Sequence, residues 1–164
     1  MNQKEVFSTA AWICPAEWAA IAPKNILHKE RVPFAMPSRE LPDQQRYVFR
    51  KVFSCDRLPE SCTLHITADD YYKLYLNGRY VCQGPAQGYV FSYYWNEVEL
   101  APYLQPGENT LTAEVYYHGR ICRSYQSGDD RMGMIATAVA AGRCLFSTDE
   151  SWECGVIRAY TGDR

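Results

Sequence analysis

The chain has 164 residues, 47% of them hydrophobic and 22% charged, with a formal net charge of -2. That length fits one domain with a real core, and the composition is that of a globular protein rather than a disordered chain. The small net charge gives no support for binding nucleic acid or another polyanion, and no apolar run approaches the ~18 residues that a membrane-spanning helix needs.

The opening residues, MNQKEVFSTAAWICPAEW, hold one lysine and no sustained apolar run. They do not read as a secretory signal, so the expectation is a cytoplasmic protein. Ala11, Trp12 and Ile13 suit a short strand before Pro15, and residues 16–20 suit a turn or two of helix with Pro15 at its start. Pro15, Pro23, Pro33, Pro37 and Pro42 exclude long regular elements from this part of the chain. Residues 1–46 therefore read as an irregular, proline-rich wrapping segment, anchored by Trp12, Trp18, Ile21 and Phe34, of the same domain as a β-sandwich over 47–164.

Residues 47–54 (YVFRKVFS) alternate, with Tyr47, Phe49 and Phe53 on one face and Val48, Arg50 and Val52 on the other, as a half-buried strand does. Residues 62–68 (CTLHITA) repeat the pattern with Leu64, Ile66 and Ala68 inward. Residues 69–85 (DDYYKLYLNGRYVCQGP) then spell a β-hairpin. Tyr72, Leu74 and Leu76 alternate with Lys73 and Tyr75, and Asn77-Gly78 supplies the two positive-φ residues of a type I′ turn. The expected cross-strand pairs are Leu76/Arg79, Tyr75/Tyr80, Leu74/Val81 and Lys73/Cys82, with Leu74/Val81 facing the core and the tyrosine pair facing away.

Residues 87–96 form a tyrosine-rich loop and 97–100 a short strand. Pro106-Gly107 turns the chain into a strand at 109–117, whose Leu111, Ala113, Val115 and Tyr117 share a face. A polar loop covers 118–133, strands follow at 134–140 and 144–147 around the turn at 141–143, and Asp149-Glu150-Ser151-Trp152 heads a last extended piece. At least seven short strands with almost no helical periodicity build an all-β protein, an antiparallel β-sandwich or jelly roll.

Catalytic signals are sparse. There is no GxSxG nucleophile turn and no glycine-rich phosphate loop, and no motif calls for a cofactor. His28, His65 and His118 are scattered, and His65 suits a surface or cross-strand role. Seven cysteines (Cys14, Cys55, Cys62, Cys82, Cys122, Cys144, Cys154) show neither CxxC pairs nor regular spacing, so buried reduced thiols are expected rather than a metal site or disulfide framework. The adjacent acids Asp69-Asp70, Asp129-Asp130 and Asp149-Glu150 read as solvated turn residues, since neighbours in extended chain point opposite ways. A bound calcium is the alternative for such acids. What stands out is aromatic. Tyr89, Phe91, Tyr93, Tyr94 and Trp95 crowd one loop near Tyr75 and Tyr80, with Arg79, Gln83 and Gln87 as nearby polar groups. Such rings serve docking on another domain, stacking on sugar rings, or closure of the sandwich edge.

Several phrases together resemble the N-terminal β-sandwich of bacterial α-L-rhamnosidases, glycoside hydrolase family 78. They are Tyr47 to Phe53 (YVFRKVF), Ala68 to Gly78 (ADDYYKLYLNG), Gly84-Pro85, Leu104 to Leu111 (LQPGENTL) and Thr148 to Trp152 (TDESW), in the family's order. The first, second and fourth also resemble the sandwich of family 2 β-galactosidases. The resemblance implies a galactose-binding-domain-like jelly roll, attached to a catalytic (α/α)₆ barrel of the same polypeptide that carries the general acid and base. Nothing in this chain resembles the barrel, so no catalytic residue carries over. The implied role is a non-catalytic accessory domain that packs on the barrel or presents a rhamnose-containing glycan to it. The alternative is a free-standing carbohydrate-binding module. In either case Tyr75, Arg79, Tyr80, Gln83, Gln87, Tyr89, Tyr93, Tyr94 and Trp95 are the candidate contact residues.

Overall fold

A computed structural model describes residues 3–19, 44–88, 93–118, 121–122, 125–126 and 132–159. Two single turns of helix, α1 (Gln3–Val6) and α2 (Ala16–Ala19), precede eleven strands. These are β1 (Gln45–Cys55), β2 (Cys62–Asp69), β3 (Tyr71–Leu76), β4 (Arg79–Gly84), β5 (Asn96–Glu99), β6 (Gly107–Tyr117), β7 (Ile121–Cys122), β8 (Tyr125–Gln126), β9 (Gly133–Ala140), β10 (Arg143–Ser147) and β11 (Glu153–Val156). A five-stranded sheet in the order β11-β1-β6-β3-β4 faces a four-stranded sheet in the order β10-β9-β2-β5, and every pairing is antiparallel. This is the expected all-β sandwich. The small β7-β8 ribbon lies within the stretch expected to be a polar loop.

Alternation decides which side chains fill the interior. Tyr47, Phe49, Phe53 and Cys55 of β1, Tyr72, Leu74 and Leu76 of β3, and Leu111, Ala113, Val115 and Tyr117 of β6 are buried on one inner face. Leu64, Ile66 and Ala68 of β2 meet them from the other sheet, with Met134, Ala136 and Ala138 of β9. Trp18 of α2 closes one end, its ring 4.8 Å from that of Tyr117 and its Nε1 donating to Tyr47 Oη at 3.3 Å. Tyr47 in turn donates to Glu17 at 2.7 Å, and burial together with this bond pushes its hydroxyl pKa up to about 12.

The amino-terminal segment adds a third layer. Val6 and Phe7 are buried with Ile135, and Ala10, Trp12 and Trp95 pack beside them. The outer residues His65, Thr67 and Asp69 of β2 and Thr137 of β9 are consequently buried as well. The strand expected at residues 11–13 appears as a two-residue extension of the sheet edge. Ala11 N donates to Thr148 O at 2.9 Å, and Ile13 and Met134 exchange both backbone bonds at 2.9 and 3.0 Å. His65 is held in a cross-strand position opposite Glu97, its Nδ1 3.7 Å from Glu97 Oε1. Ile21, His28, Phe34, Phe91 and the Asp129-Asp130 pair lie outside the described residues.

The hairpin turn forms as expected, with Asn77 at φ 53° and Gly78 at φ 75°. Leu76 pairs with Arg79 and Tyr75 with Tyr80, but there the expected register ends. Leu74 pairs with Cys82 and Lys73 with Gln83, because Val81 is the extra residue of a β-bulge. A bulge puts two residues of one strand against one of its partner and bends the strand. Val81 and Cys82 both pack against the core as a result.

Asn77 does more than turn the chain. Its Nδ2 donates to Tyr103 O at 3.1 Å and to Asn109 Oδ1 at 2.9 Å, and its Oδ1 accepts from Thr110 N at 2.9 Å. Asn109, 1% exposed, also accepts from Gln105 N and donates to Gln105 O and Gly107 O, at 2.8–3.0 Å. The asparagines of the LNG and PGEN phrases are thus one network. The TDESW phrase is structural too. Thr148 is buried and its hydroxyl accepts from Ala136 N at 3.1 Å, and Trp152 donates to Ser147 O at 2.9 Å. Asp149 accepts from Ser151 N and from the Ser151 hydroxyl, organising the turn between them.

The expectation of buried thiols is corrected in part. Cys55 and Cys62 are buried and Cys14 and Cys82 half-buried, but Cys144 and Cys154 are exposed because they lie on the edge strands β10 and β11. All six are free, and burial pushes the Cys62 thiol up to about 11.

Two measurements check this architecture. Gly78→Val forces a β-branched residue to positive φ and is expected to cost about 1–3 kcal/mol, read from the denaturation midpoint; an unchanged midpoint would contradict the turn. The second concerns Glu99, whose carboxylate accepts from Cys62 N at 2.7 Å, the Ser61 hydroxyl at 2.7 Å and Ala101 N at 3.0 Å. These bonds, the Cys62 amide first, hold its pKa below the usual range. A depressed carboxylate stabilises the fold above its unfolded pKa and loses that contribution as pH falls through its folded value. Glu99→Gln should therefore melt below the wild type at pH 7, with the gap closing as pH is lowered past the ordinary glutamate range of about 4. A gap independent of pH would contradict this role.

Candidate functional site

A cleft of about 390 Å³ opens where the base of the β3-β4 hairpin meets the end of β2 and the start of β5. Its floor is fixed by a contact that only glycine permits. A Cβ on Gly84 would lie 2.0 Å from Asn96 Oδ1, so the bare backbone lets the Asn96 amide cross beneath it. Buried Tyr72 donates to that same Oδ1 at 2.7 Å. Burial, then the neighbouring Cys82, raises the Tyr72 pKa well above its ordinary value, so the hydroxyl stays protonated and able to donate. Asn96 is thereby oriented at the cleft wall by two residues of the hairpin.

The opposite wall carries acids. Asp69 is 2% exposed and its Oδ2 accepts from Tyr93 Oη at 3.2 Å. Asp70 Oδ2 accepts from His118 N at 2.5 Å. Both aspartates line the same cleft, with Lys73, Gln83 and Gln87 around its mouth. The reading of this pair as solvated turn acids is corrected. The amino-terminal layer covers the outer face of β2, so its last residue is buried, and the trp–tyr contact between Trp12 and Tyr93 (5.5 Å between rings) closes over it. Asp149-Glu150, by contrast, is an exposed turn pair. The cleft offers hydroxyl and carboxylate acceptors, amide and ammonium donors, and two tyrosine rings, Tyr71 and Tyr93. Among the described residues no group of three His, Cys, Asp or Glu side chains is placed to hold a metal ion.

The nine candidate contact residues do not form one patch. Gln83, Gln87 and Tyr93 line the cleft. Tyr75, Arg79 and Tyr80 sit at the hairpin tip, where the two tyrosine rings meet edge to face at 5.8 Å and Arg79 stacks over Tyr103 at 5.0 Å. Trp95 turns to the third layer and packs edge-on against Phe7 at 6.3 Å. Tyr94 is 55% exposed, and its carbonyl is anchored by the Thr67 hydroxyl at 2.7 Å. Tyr89 lies outside the described residues. Sequence reasoning missed Asp69, Asp70 and Asn96. The available signal was the position of two acids at the end of a strand, directly before the hairpin.

No protein-family model matches the sequence, and no curated protein matches it. Solved structures do. The family 78 rhamnosidase of Bacillus sp. GL1 superposes with a TM-score of 0.66 at 31% identity, covering 74% of this chain and 13% of the enzyme. The α-L-rhamnosidase of Aspergillus terreus matches with a TM-score of 0.60 at 25% identity, over 74% of this chain and 16% of the enzyme. The Pleurotus ostreatus lectin shares the fold, with a TM-score of 0.55 at 22% identity over 91% of this chain and 35% of the lectin. The chain is therefore a β-sandwich domain similar to one domain-sized part of family 78 α-L-rhamnosidases. It spans about an eighth to a sixth of those enzymes' length. Its rhamnosidase neighbours match over one domain-sized part, in keeping with an accessory domain. Among the described residues no helix is long and apolar enough to cross a membrane.

The wall geometry is testable. Tyr72→Phe removes the donor that orients Asn96 and should cost about 1–2 kcal/mol, the scale of a buried hydrogen bond whose acceptor is left behind. Gly84→Ala should shift the Asn96 side-chain amide resonances, since the new methyl occupies their place. Unmoved Asn96 resonances in both variants would contradict the arrangement.

Proposed function

We propose that this chain is a non-catalytic accessory domain of an α-L-rhamnosidase-like glycoside hydrolase, which packs on or presents substrate to a catalytic barrel of the same polypeptide. The observation that carries this reading is the match to the Bacillus enzyme, 31% identical across 74% of this chain while covering 13% of the other. Function then rests with the sandwich as a scaffold, and its residues are not asked to do chemistry. The six free thiols agree with a reducing compartment such as the cytoplasm, which belongs to the same proposal. The purified chain should release no aryl group from aryl α-L-rhamnosides. Enzyme-dependent release that a carboxylate substitution in this chain abolishes would overturn the non-catalytic reading.

A second reading is favoured by the cleft, which adds carbohydrate binding to the scaffold role. Sugar sites are concave, with a ring and a few convergent polar groups. Here Tyr93, Asp69, Asn96 and Gln83 have that disposition. A carboxylate and an amide accept and donate to vicinal hydroxyls, and a tyrosine face covers the C–H side of the ring. Free L-rhamnose should bind weakly, with a Kd at or above ~1 mM. In an NMR titration, saturable shifts should be confined to residues 83–88, Tyr93 and Asn96. Their absence up to tens of millimolar sugar would leave the scaffold role alone.

A further inference from the structure

The amino-terminal segment reaches the cleft without lining it. It grips the chain ahead of β5 at two points: Trp12 packs on Tyr93 with the rings 5.5 Å apart, and Phe7 packs edge-on against Trp95 at 6.3 Å. Tyr94 between them is exposed, and the Thr67 hydroxyl donates to its carbonyl at 2.7 Å. Tyr93 is thus held at both ends, its ring by Trp12 and its hydroxyl by buried Asp69, to which it donates at 3.2 Å. The segment itself is seated by three backbone bonds. Ala11 N donates to Thr148 O, and Ile13 and Met134 exchange both bonds, at 2.9–3.0 Å. Beside that bridge a Cβ on Gly133 would lie 2.4 Å from Ile13 O, so the bare backbone there lets the segment approach the sheet. Gly133 is the residue of β9 that pairs with Asp69. The seat of the segment and the acid of the cleft are therefore cross-strand neighbours.

We propose that Trp12 is a positioning residue of the cleft, acting through Tyr93, and that the amino-terminal segment is seated more firmly when the cleft is occupied. This rests on the reading that the cleft takes a sugar, and names the part of the chain that prepares it. A ring that covers the C–H face of a sugar contributes most when it does not have to be ordered on binding. Tyr93 belongs to neither apolar cluster of the described residues, so interior packing does not fix it; the Trp12 ring and the Asp69 bond do. The cluster that anchors the segment, Val6 and Phe7 with Ile135, is separate from the main core. Satellite units of this kind open locally at less cost than global unfolding. A ligand that needs Tyr93 in place therefore favours the seated segment, and by linkage each changes the other by the same factor.

The test is an NMR titration of the full chain with methyl α-L-rhamnoside. Trp12→Leu should weaken binding about fivefold, the scale of one aromatic pair, and Trp12→Phe, which keeps a ring, should recover most of the loss. Phe146→Leu loosens the contacts of that ring with Phe53 and Trp152, outside the cleft, and should leave the affinity within about twofold, as distant sites do. In the wild type, a saturating concentration of the glycoside should slow hydrogen exchange of the Ala11 and Ile13 amides by up to about fivefold, by reciprocity. This arm needs no variant. An affinity unchanged in Trp12→Leu, an equal loss in Phe146→Leu, or exchange at Ala11 and Ile13 that ignores the glycoside would overturn the positioning role and leave the sugar reading standing. No binding of the glycoside to the wild type would overturn the sugar reading and the positioning role with it.

Discussion

The structure depends most on two asparagines that are far apart in sequence. Asn77 turns the β3-β4 hairpin and Asn109 sits near the start of β6, and the 2.9 Å bond between their side chains ties the hairpin turn to that strand. Each polar atom involved is also bonded to main chain, at Tyr103, Thr110, Gln105 and Gly107. A buried amide is tolerated only when its bonding capacity is met, and here the pair satisfies itself and the backbone of four residues between Tyr103 and Thr110 at once. The network sets where β3 enters the sheet beside β6, and the Leu76–Leu111 and Leu74–Ala113 pairs of the core follow from that register. It also gives the LNG and PGEN phrases, which carry the resemblance to rhamnosidases, a common structural purpose. They encode a clamp.

The cleft is built on the consequences of that clamp. With the turn end of the hairpin held, the bulge at Val81 sets the alternation of the far end, bringing Gly84 opposite Tyr72. Gly84 then admits Asn96, and Tyr72 orients it. From the other side the amino-terminal layer buries Asp69 and brings Trp12 against Tyr93. The wall thus joins residues from the hairpin, β2, β5 and the amino-terminal layer, none of which forms a motif by spacing. Polar groups held by buried partners are preorganised, and preorganisation is what gives a small polar cleft useful affinity.

Period-two alternation made β1, β2, β3, β6 and β9 legible, because each has one face in the core. Asn-Gly made the hairpin turn legible, because few residues tolerate positive φ. The register beyond Tyr75–Tyr80 was not legible, since Val81 and Cys82 are both small and apolar and either can face inward. The outer residues Thr63, His65, Thr67 and Asp69 looked solvated, and three of them are buried by a layer contributed from some sixty residues earlier in the chain. Clustering of aromatics in sequence also misled. Tyr93, Tyr94 and Trp95 are consecutive, yet one lines the cleft, one is exposed and one packs on Phe7. Extended chain sends neighbours to opposite sides, so a run of rings there is divided rather than gathered.

The central claim, that the asparagines of two separated phrases act as one structural unit, is tested most directly by a double-mutant cycle. Asn77→Ala, Asn109→Ala and the double variant are compared with the wild type by denaturant unfolding. A coupling energy of about 1–3 kcal/mol is expected, as residues within one buried network show. Single-variant costs that add to within roughly 0.5 kcal/mol, as independent sites do, would contradict it.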